Sequence, residues 1–302
     1  MRDRFVVVLL GICVAASGRP AASATVVVDA KAIYPEGPVW RNGSLLYVEY
    51  GGRGIKLWDG KHTSAYWNSG HCGPSGLIEY NRNHLLVACY DTNSLVELDE
   101  NATVVRTIDK DSAGKPFVGP NDFAADRKGG LYFSASGVYD VKAPITGAVL
   151  YLSSQGRITE VANTIHYPNG LTLSKNGNTL LVAEDLAGRI LAFPINADGT
   201  LGPRTVWARL RDIAPPTPHE DAYNGPDGLK LGPDGNYYIA QNGSGRVLAV
   251  SEGKKLVRTI TVGTPYVTNV NFGPAGTGLV YITGVFDPWK APFPGAVYRW
   301  SP

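Results

Sequence analysis

Gly225-Pro226-Asp227-Gly228-Leu229-Lys230-Leu231-Gly232-Pro233-Asp234-Gly235-Asn236-Tyr237-Tyr238-Ile239-Ala240 is the stretch that decides the fold of this chain. It reads as a Pro-Asp-Gly phrase closing a loop, a short apolar strand, an Asp-Gly turn and a second apolar strand, the signature of a β-hairpin. A third strand, Arg246-Val247-Leu248-Ala249-Val250, follows. Working outward, the phrase recurs as Pro168-Asn169-Gly170, Pro120-Asn121-Asp122, Pro74-Ser75-Gly76 and Pro35-Glu36-Gly37, and downstream without its proline as Val267-Thr268-Asn269. The middle residues are spaced by 39, 46, 48, 58 and 41 positions, the period of one propeller blade per repeat. The expectation is an all-β chain folded as a six-bladed β-propeller. The last repeat supplies three strands and then the chain ends, so residues 25–28, Thr-Val-Val-Val, are expected to pair into the last blade, close the ring and remove its open edge.

Composition sets the outer limits. The 302 residues include 36 Gly and 21 Pro, a turn-rich profile, and a propeller of this length forms one domain. The formal net charge is +2 and no Lys/Arg run occurs, which argues against nucleic acid or an anionic membrane as partner. A small molecule is the expected partner, bound by a monomer. Residues 1–24 read as an export signal: Arg2 and Arg4 precede an apolar run over residues 5–16, and Ala22-Ser23-Ala24 offers a cleavage site. The run is too short for a permanent membrane span. The mature protein, residues 25–302, is therefore expected in the periplasm or secreted. It keeps Cys72 and Cys89, which approach the same edge of the second blade; a disulfide and two buried thiols both fit that placement.

In a closed ring, equivalent positions of the blades converge on the axis. Glu36, Asn121, Asn169 and Asp227 occupy such positions, with Ser75 and Thr268 completing a polar ring. Singly, each is an ordinary turn residue. Together they are an oxygen-only set without Cys or His at equivalent positions, which suits a hard divalent cation. Ca²⁺ is the first choice, before Mg²⁺, Mn²⁺ or Zn²⁺. Two carboxylates balance a dication, and four protein ligands leave coordination positions open for water or substrate.

Tyr34-Pro35-Glu36-Gly37-Pro38-Val39-Trp40, Gly119-Pro120-Asn121-Asp122, Tyr167-Pro168-Asn169-Gly170-Leu171 and Gly225-Pro226-Asp227-Gly228-Leu229 resemble the signature of the SMP-30/gluconolactonase/luciferin-regenerating enzyme family, and residues 119–126 and 225–250 are also similar to the bacterial drug-responsive-type lactonases. The resemblance spans the mature chain in order. It implies a catalytic divalent metal on a propeller axis and hydrolysis of a lactone. By position it assigns Glu36, Asn169 and Asp227 as metal ligands, and Asn121 as a ligand or a substrate contact. Many sugar-lactonase members carry an Arg close before the Asn-Asp pair, whereas this chain has Pro116-Phe117-Val118-Gly119-Pro120. A more apolar lactone is therefore expected, with Phe117 against it, and Asp122 as a further ligand or a support for Asn121.

Insertions over residues 138–146, 211–224 and 285–295 emerge on the face where the phrases begin and carry Tyr139, His219, Tyr223, Phe286, Trp289 and Phe293. Long loops on one rim read as pocket walls. His71 and Tyr90 flank the same rim beside Ser75. In the expected mechanism the cation polarises the lactone carbonyl, water attacks, and Asp227 accepts the proton; direct attack by Asp227 is the alternative. Rival functions are phosphotriester hydrolysis on the same metal and a non-catalytic or strictosidine-synthase-like propeller.

Overall fold

The computed structural model describes residues 24–217 and 223–302; the export-signal reading of residues 1–24 falls almost wholly outside them, and His219 lies outside them. Six four-stranded antiparallel sheets surround an axis. The innermost strands are Pro35–Arg41, Pro74–Tyr80, Pro120–Ala125, Pro168–Leu173, Pro226–Leu231 and Tyr266–Phe272. Five blades run consecutively outward, and the sixth takes its outer strand from the start of the described chain: Ala24–Asp29 pairs antiparallel with Gly295–Ser301. The expected closure is thus observed. Covalent continuity inside each blade and hydrogen bonding across the chain ends seal the ring and leave no sheet unpaired at its seam.

The hydrophobic core is divided among the blade-to-blade contacts. Leu46, Val48, Leu77, Leu85 and Val87 fill the space between the first two blades, and Ala124, Tyr132, Leu171, Leu180 and Val182 that between the third and fourth. Valine, leucine and tyrosine dominate because strands buried on both faces need branched or flat side chains on each. The outer strands face solvent, as Val104, Val105, Val206 and Val257 show.

Every inner strand carries a register shift at its phrase: between Glu36 and Val39, Pro74 and Gly76, Pro120 and Phe123, Pro168 and Leu171, Pro226 and Leu229, and Val267 and Asn269. A β-bulge bends the strand and re-aims one side chain. The glycines that follow exist for a second reason. A Cβ on Gly170 would lie 2.2 Å from Leu229 N, and one on Gly76 2.0 Å from Asn121 O, so neighbouring inner strands approach too closely for any side chain. Backbone groups that these strands leave free are taken by the adjacent blade: Ser75 Oγ donates to Pro120 O, Ser136 Oγ to Pro168 O, and Thr268 Oγ1 to Pro35 O at 2.7 Å.

Cys72 and Cys89 form a disulfide, with Cα atoms 5.3 Å apart. Cys89 pairs with Pro74 in the sheet, which brings Cys72, two residues upstream, over it. The open choice between thiols and disulfide is settled by this pairing. Among the described residues no helix is long and apolar enough to cross a membrane.

Candidate active site at the propeller axis

The bulges direct Glu36, Asn121, Asn169 and Asp227 into one cavity of about 230 Å³ on the axis, lined also by Ser75. All four are buried, none more than 7% exposed. The structure adds a second set. Asp185 and Asn242 line the same cavity, each standing directly after the second strand of its blade, Thr179–Glu184 and Tyr237–Gln241. Tyr50 and Tyr90 occupy the same position after Ser44–Glu49 and His84–Cys89. This is a second repeat-equivalent position, and the alignment of blades that revealed the first would have revealed it too.

Each carboxylate is held by an amide. Asn269 Nδ2 donates to Glu36 Oε2 at 3.2 Å, Asn242 Nδ2 to Asp227 Oδ2 at 3.0 Å, and Asn169 Nδ2 to Asp185 Oδ2 at 3.2 Å. The opposite oxygens, Asp227 Oδ1, Asp185 Oδ1 and Asn169 Oδ1, are buried without a hydrogen-bond partner. A buried acceptor left unpaired costs about 1–3 kcal/mol, so three at one place are an unsatisfied demand for positive charge. Burial pushes the Glu36 and Asp185 carboxyls well above the usual range. Asp227 is pushed up by burial and further by the charges of Glu36 and Asp185. No Lys, Arg or His among the described residues lines the cavity.

These observations test the fit of a metal. Oxygen acceptors alone, with carboxylate charge and no protein cation, match a hard divalent ion. Among the described residues no group of three His, Cys, Asp or Glu side chains forms a metal cluster, so the amide oxygens of Asn121 and Asn169 have to contribute.

Above this floor stands an aromatic collar. Phe293, Tyr34, Tyr50, Tyr90, Tyr167, Tyr139 and Trp289 follow one another round the mouth with ring centroids 4.7–6.4 Å apart. Tyr34 and Tyr167 reach it from left-handed backbone, φ 48° and 61°, immediately before Pro35 and Pro168, a conformation bulky residues adopt only where the surroundings impose it. Tyr139 Oη donates to Tyr223 O at 3.0 Å and Trp289 packs edge-on against Tyr223. The three long insertions therefore meet over one side of the cavity.

Four of the expected site residues stand elsewhere. Phe117 is 3% exposed and packs edge-on against Phe133 in the core between the second and third blades. Asp122, next along the strand from Asn121, faces the opposite mouth of the channel, where Lys230 Nζ reaches both its oxygens at 2.9 Å. His71 is exposed, its carbonyl accepting from Arg53. Phe286 is 47% exposed, and Phe293, at the far end of the same loop, lines the cavity instead. Sequence reading missed Tyr34, Tyr50, Tyr167, Asp185 and Asn242.

Comparison with known proteins agrees with this architecture. The chain is 26% identical over 189 residues to the lactonase drp35 of Staphylococcus aureus strain MW2, a match covering 60% of this chain and 55% of that protein; the chain thus spans about half the length of the curated lactonases it matches. A gluconolactonase of Xanthomonas campestris superposes with a TM-score of 0.75 at 20% identity, covering 96% of this chain and 93% of that one. Regucalcin of Agrobacterium tumefaciens strain C58, described as a calcium-binding protein, superposes with a TM-score of 0.73 at 16% identity over 92% of this chain and 93% of its own. The family description "SMP-30/Gluconolactonase/LRE-like region" matches residues 34–285. With its phrases, bulges and axial cavity, the chain belongs to the SMP-30/gluconolactonase/LRE-like family.

Proposed function

We propose that this protein opens a lactone by hydrolysis at the propeller axis, with a divalent cation, Ca²⁺ first, held by Glu36, Asn121, Asn169 and Asp227. The observation that carries the reading is the set of partnerless buried oxygens, Asn169 Oδ1 and Asp227 Oδ1 foremost, in a cavity with an apolar mouth. The names of the Staphylococcus lactonase and the Xanthomonas gluconolactonase support the reaction, and the Agrobacterium neighbour supports the ion. A cation bound there would polarise the ester carbonyl and make water a stronger acid.

The protein's own contribution is positioning and proton transfer. Asn242 fixes Asp227 through Oδ2 and turns Oδ1 to the cation site, and the carboxylate is the proton acceptor for the attacking water while it holds the ion. Asn121 lines the cavity beside them and completes the set of oxygens around the ion. The collar excludes bulk water and stacks against the substrate body. The cavity mouth presents the rings of Tyr34, Tyr50, Tyr90, Tyr167, Trp289 and Phe293, so apolar or aromatic lactones are favoured over polyhydroxylated sugar lactones. The Cys72–Cys89 disulfide supports an exported protein, since such bonds persist in oxidising compartments.

The test is lactone opening by purified protein, followed as acid release over a panel from gluconolactone to aryl lactones, with Ca²⁺, with chelator, and with Asp227→Ala. Activity is expected to disappear together with ion binding in the chelated and Asp227→Ala samples, and aryl lactones to have the higher kcat/KM. Full activity after chelation would sink the metal reading. Inertness toward every lactone with the ion bound would sink the reaction.

A further inference from the structure

Asp185 is the residue at the axis that the expected ligand set leaves unused. It stands outside the Pro-x-Gly phrases, at the start of a short 3-10 turn, Asp185–Ala187, that follows Thr179–Glu184. Its backbone N–H donates to Tyr167 O, which locks it beside the entry of its own inner strand. The side chain is 2% exposed and lines the cavity. Oδ2 accepts from Asn169 Nδ2 at 3.2 Å, while Oδ1 has no partner and lies so close to the Gly225 backbone that a Cβ there would stand 2.2 Å from it.

The consequence follows from the asymmetry of an amide. Asn169 can present either Oδ1 or Nδ2 to the axis, and the two differ only by rotation about the last side-chain bond. Presented as oxygen it is a ligand, and presented as NH₂ it repels a cation. The hydrogen bond from Asn169 Nδ2 to Asp185 Oδ2 makes that choice: with the amide nitrogen turned to Asp185, Asn169 Oδ1 is the atom left without a partner at the cavity. We propose that Asp185 is the positioning residue of the cation site, which sets Asn169 oxygen-first and adds a third negative charge beside Glu36 and Asp227. The inference rests on the cation reading above. It also sets a charge preference: Asp185 lines the same cavity as Glu36 and Asp227 without joining them in one ligand cluster, and its added negative field favours a trivalent ion of similar size over Ca²⁺.

The experiment measures ion binding directly on full-length protein. Ca²⁺ affinity is read by titration calorimetry, and Tb³⁺ by luminescence sensitised through the neighbouring tyrosines. Asp185→Asn can both accept and donate, so it no longer enforces the orientation, and it removes the charge. Loss of a residue that orients a ligand costs about 10–100-fold in metal affinity, so a loss of this size is expected for Ca²⁺ and a larger one for Tb³⁺. The exchanged pair Asn169→Asp with Asp185→Asn restores a donor facing an acceptor and places a carboxylate oxygen on the axis. Its Ca²⁺ affinity is expected to return to within a few-fold of the wild type, which a merely structural role for Asp185 does not predict.

Near-ultraviolet circular dichroism checks that each variant is folded; a misfolded single variant leaves the exchanged pair to decide. An Asp185→Asn protein that binds both ions within twofold of wild type overturns the inference, as does an exchanged pair that binds no better than the single variant. A wild type that binds Ca²⁺ but opens no lactone overturns the reaction proposed above and leaves Asp185 in its role.

Discussion

Replacing Gly170 by Ala tests the link between the inner-strand geometry and the site. The new Cβ would lie 2.2 Å from Leu229 N, 2.5 Å from Asp227 O and 2.7 Å from Gly228 C. All three are backbone atoms of the next blade's inner strand, so no side-chain rotation relieves the clash. Cβ contacts under 3.0 Å essentially do not occur, so the strands must part by about 1 Å. Overpacking of this kind costs about 1–3 kcal/mol, with the upper end expected because backbone is the obstacle. For a domain of this size that lowers Tm by roughly 2–5 °C. Asn169 precedes Gly170 and Asp227 precedes Gly228, so the same displacement separates two cation oxygens. A shift of 1 Å at a preorganised site is enough to cost on the order of 10-fold or more in affinity. Calorimetric melting and Ca²⁺ titration read the two effects. Gly43→Ala is the control: φ is +81° with nothing within 4 Å of the new Cβ, so it costs about 1–2 kcal/mol of backbone strain and leaves ion binding unchanged. A Gly170→Ala protein with unchanged Tm and Ca²⁺ affinity would refute the claim that close inner-strand approach builds the site.

Deleting residues 25–28 removes most of the strand that pairs with Gly295–Ser301, and an expected loss of several kcal/mol should appear in chemical denaturation; an unchanged midpoint would disprove the closure. Replacing Cys72 and Cys89 by Ser opens a link with a sequence separation of 17, worth about 3 kcal/mol by chain entropy, and dithiothreitol should destabilise the wild type alike. Lys230→Met leaves Asp122 buried without its cation, at a cost of roughly 3 kcal/mol. Adding Asp122→Asn should recover most of that stability, and a double variant no better than the single one would show that the pair contributes little. Melting curves of the three proteins decide it.

The blade count, the closing strand and the residues Glu36, Asn121, Asn169 and Asp227 were legible because each rests on a local pattern repeated along the chain. In four of the six blades a proline, a polar residue and a glycine precede two apolar runs at a bulged hairpin, the other two keep the place with Pro-Asn-Asp and Val-Thr-Asn, and a ring turns equal positions into one point. Phe117 and Asp122 show where that reading stops. Asp122 follows Asn121 on the strand, where successive side chains point to opposite faces, so it reaches Lys230 at the far mouth; Phe117 lies in the loop before Pro120–Ala125 and turns into the core against Phe133.

What tertiary structure decided is everything that depends on partners distant in sequence. Glu36 is gripped by Asn269 across 233 positions, a contact that exists only once the ring has closed. Asp185 and Asn242 stand after the second strands, outside the phrases, and acquire their place from the backbone bonds that join them to Tyr167 and Gly225. The collar takes Tyr34, Tyr50, Tyr90 and Tyr167 from repeat-equivalent positions of three blades, but Tyr139, Trp289 and Phe293 come from two insertions that no repeat announces. Repetition in sequence determined where the axis is and which oxygens face it. Closure of the ring determined that Asn269 holds Glu36, and strand pairing within a blade determined that Asn242 holds Asp227 and Asn169 holds Asp185, because a hydrogen bond forms only where the fold brings two groups within about 3 Å.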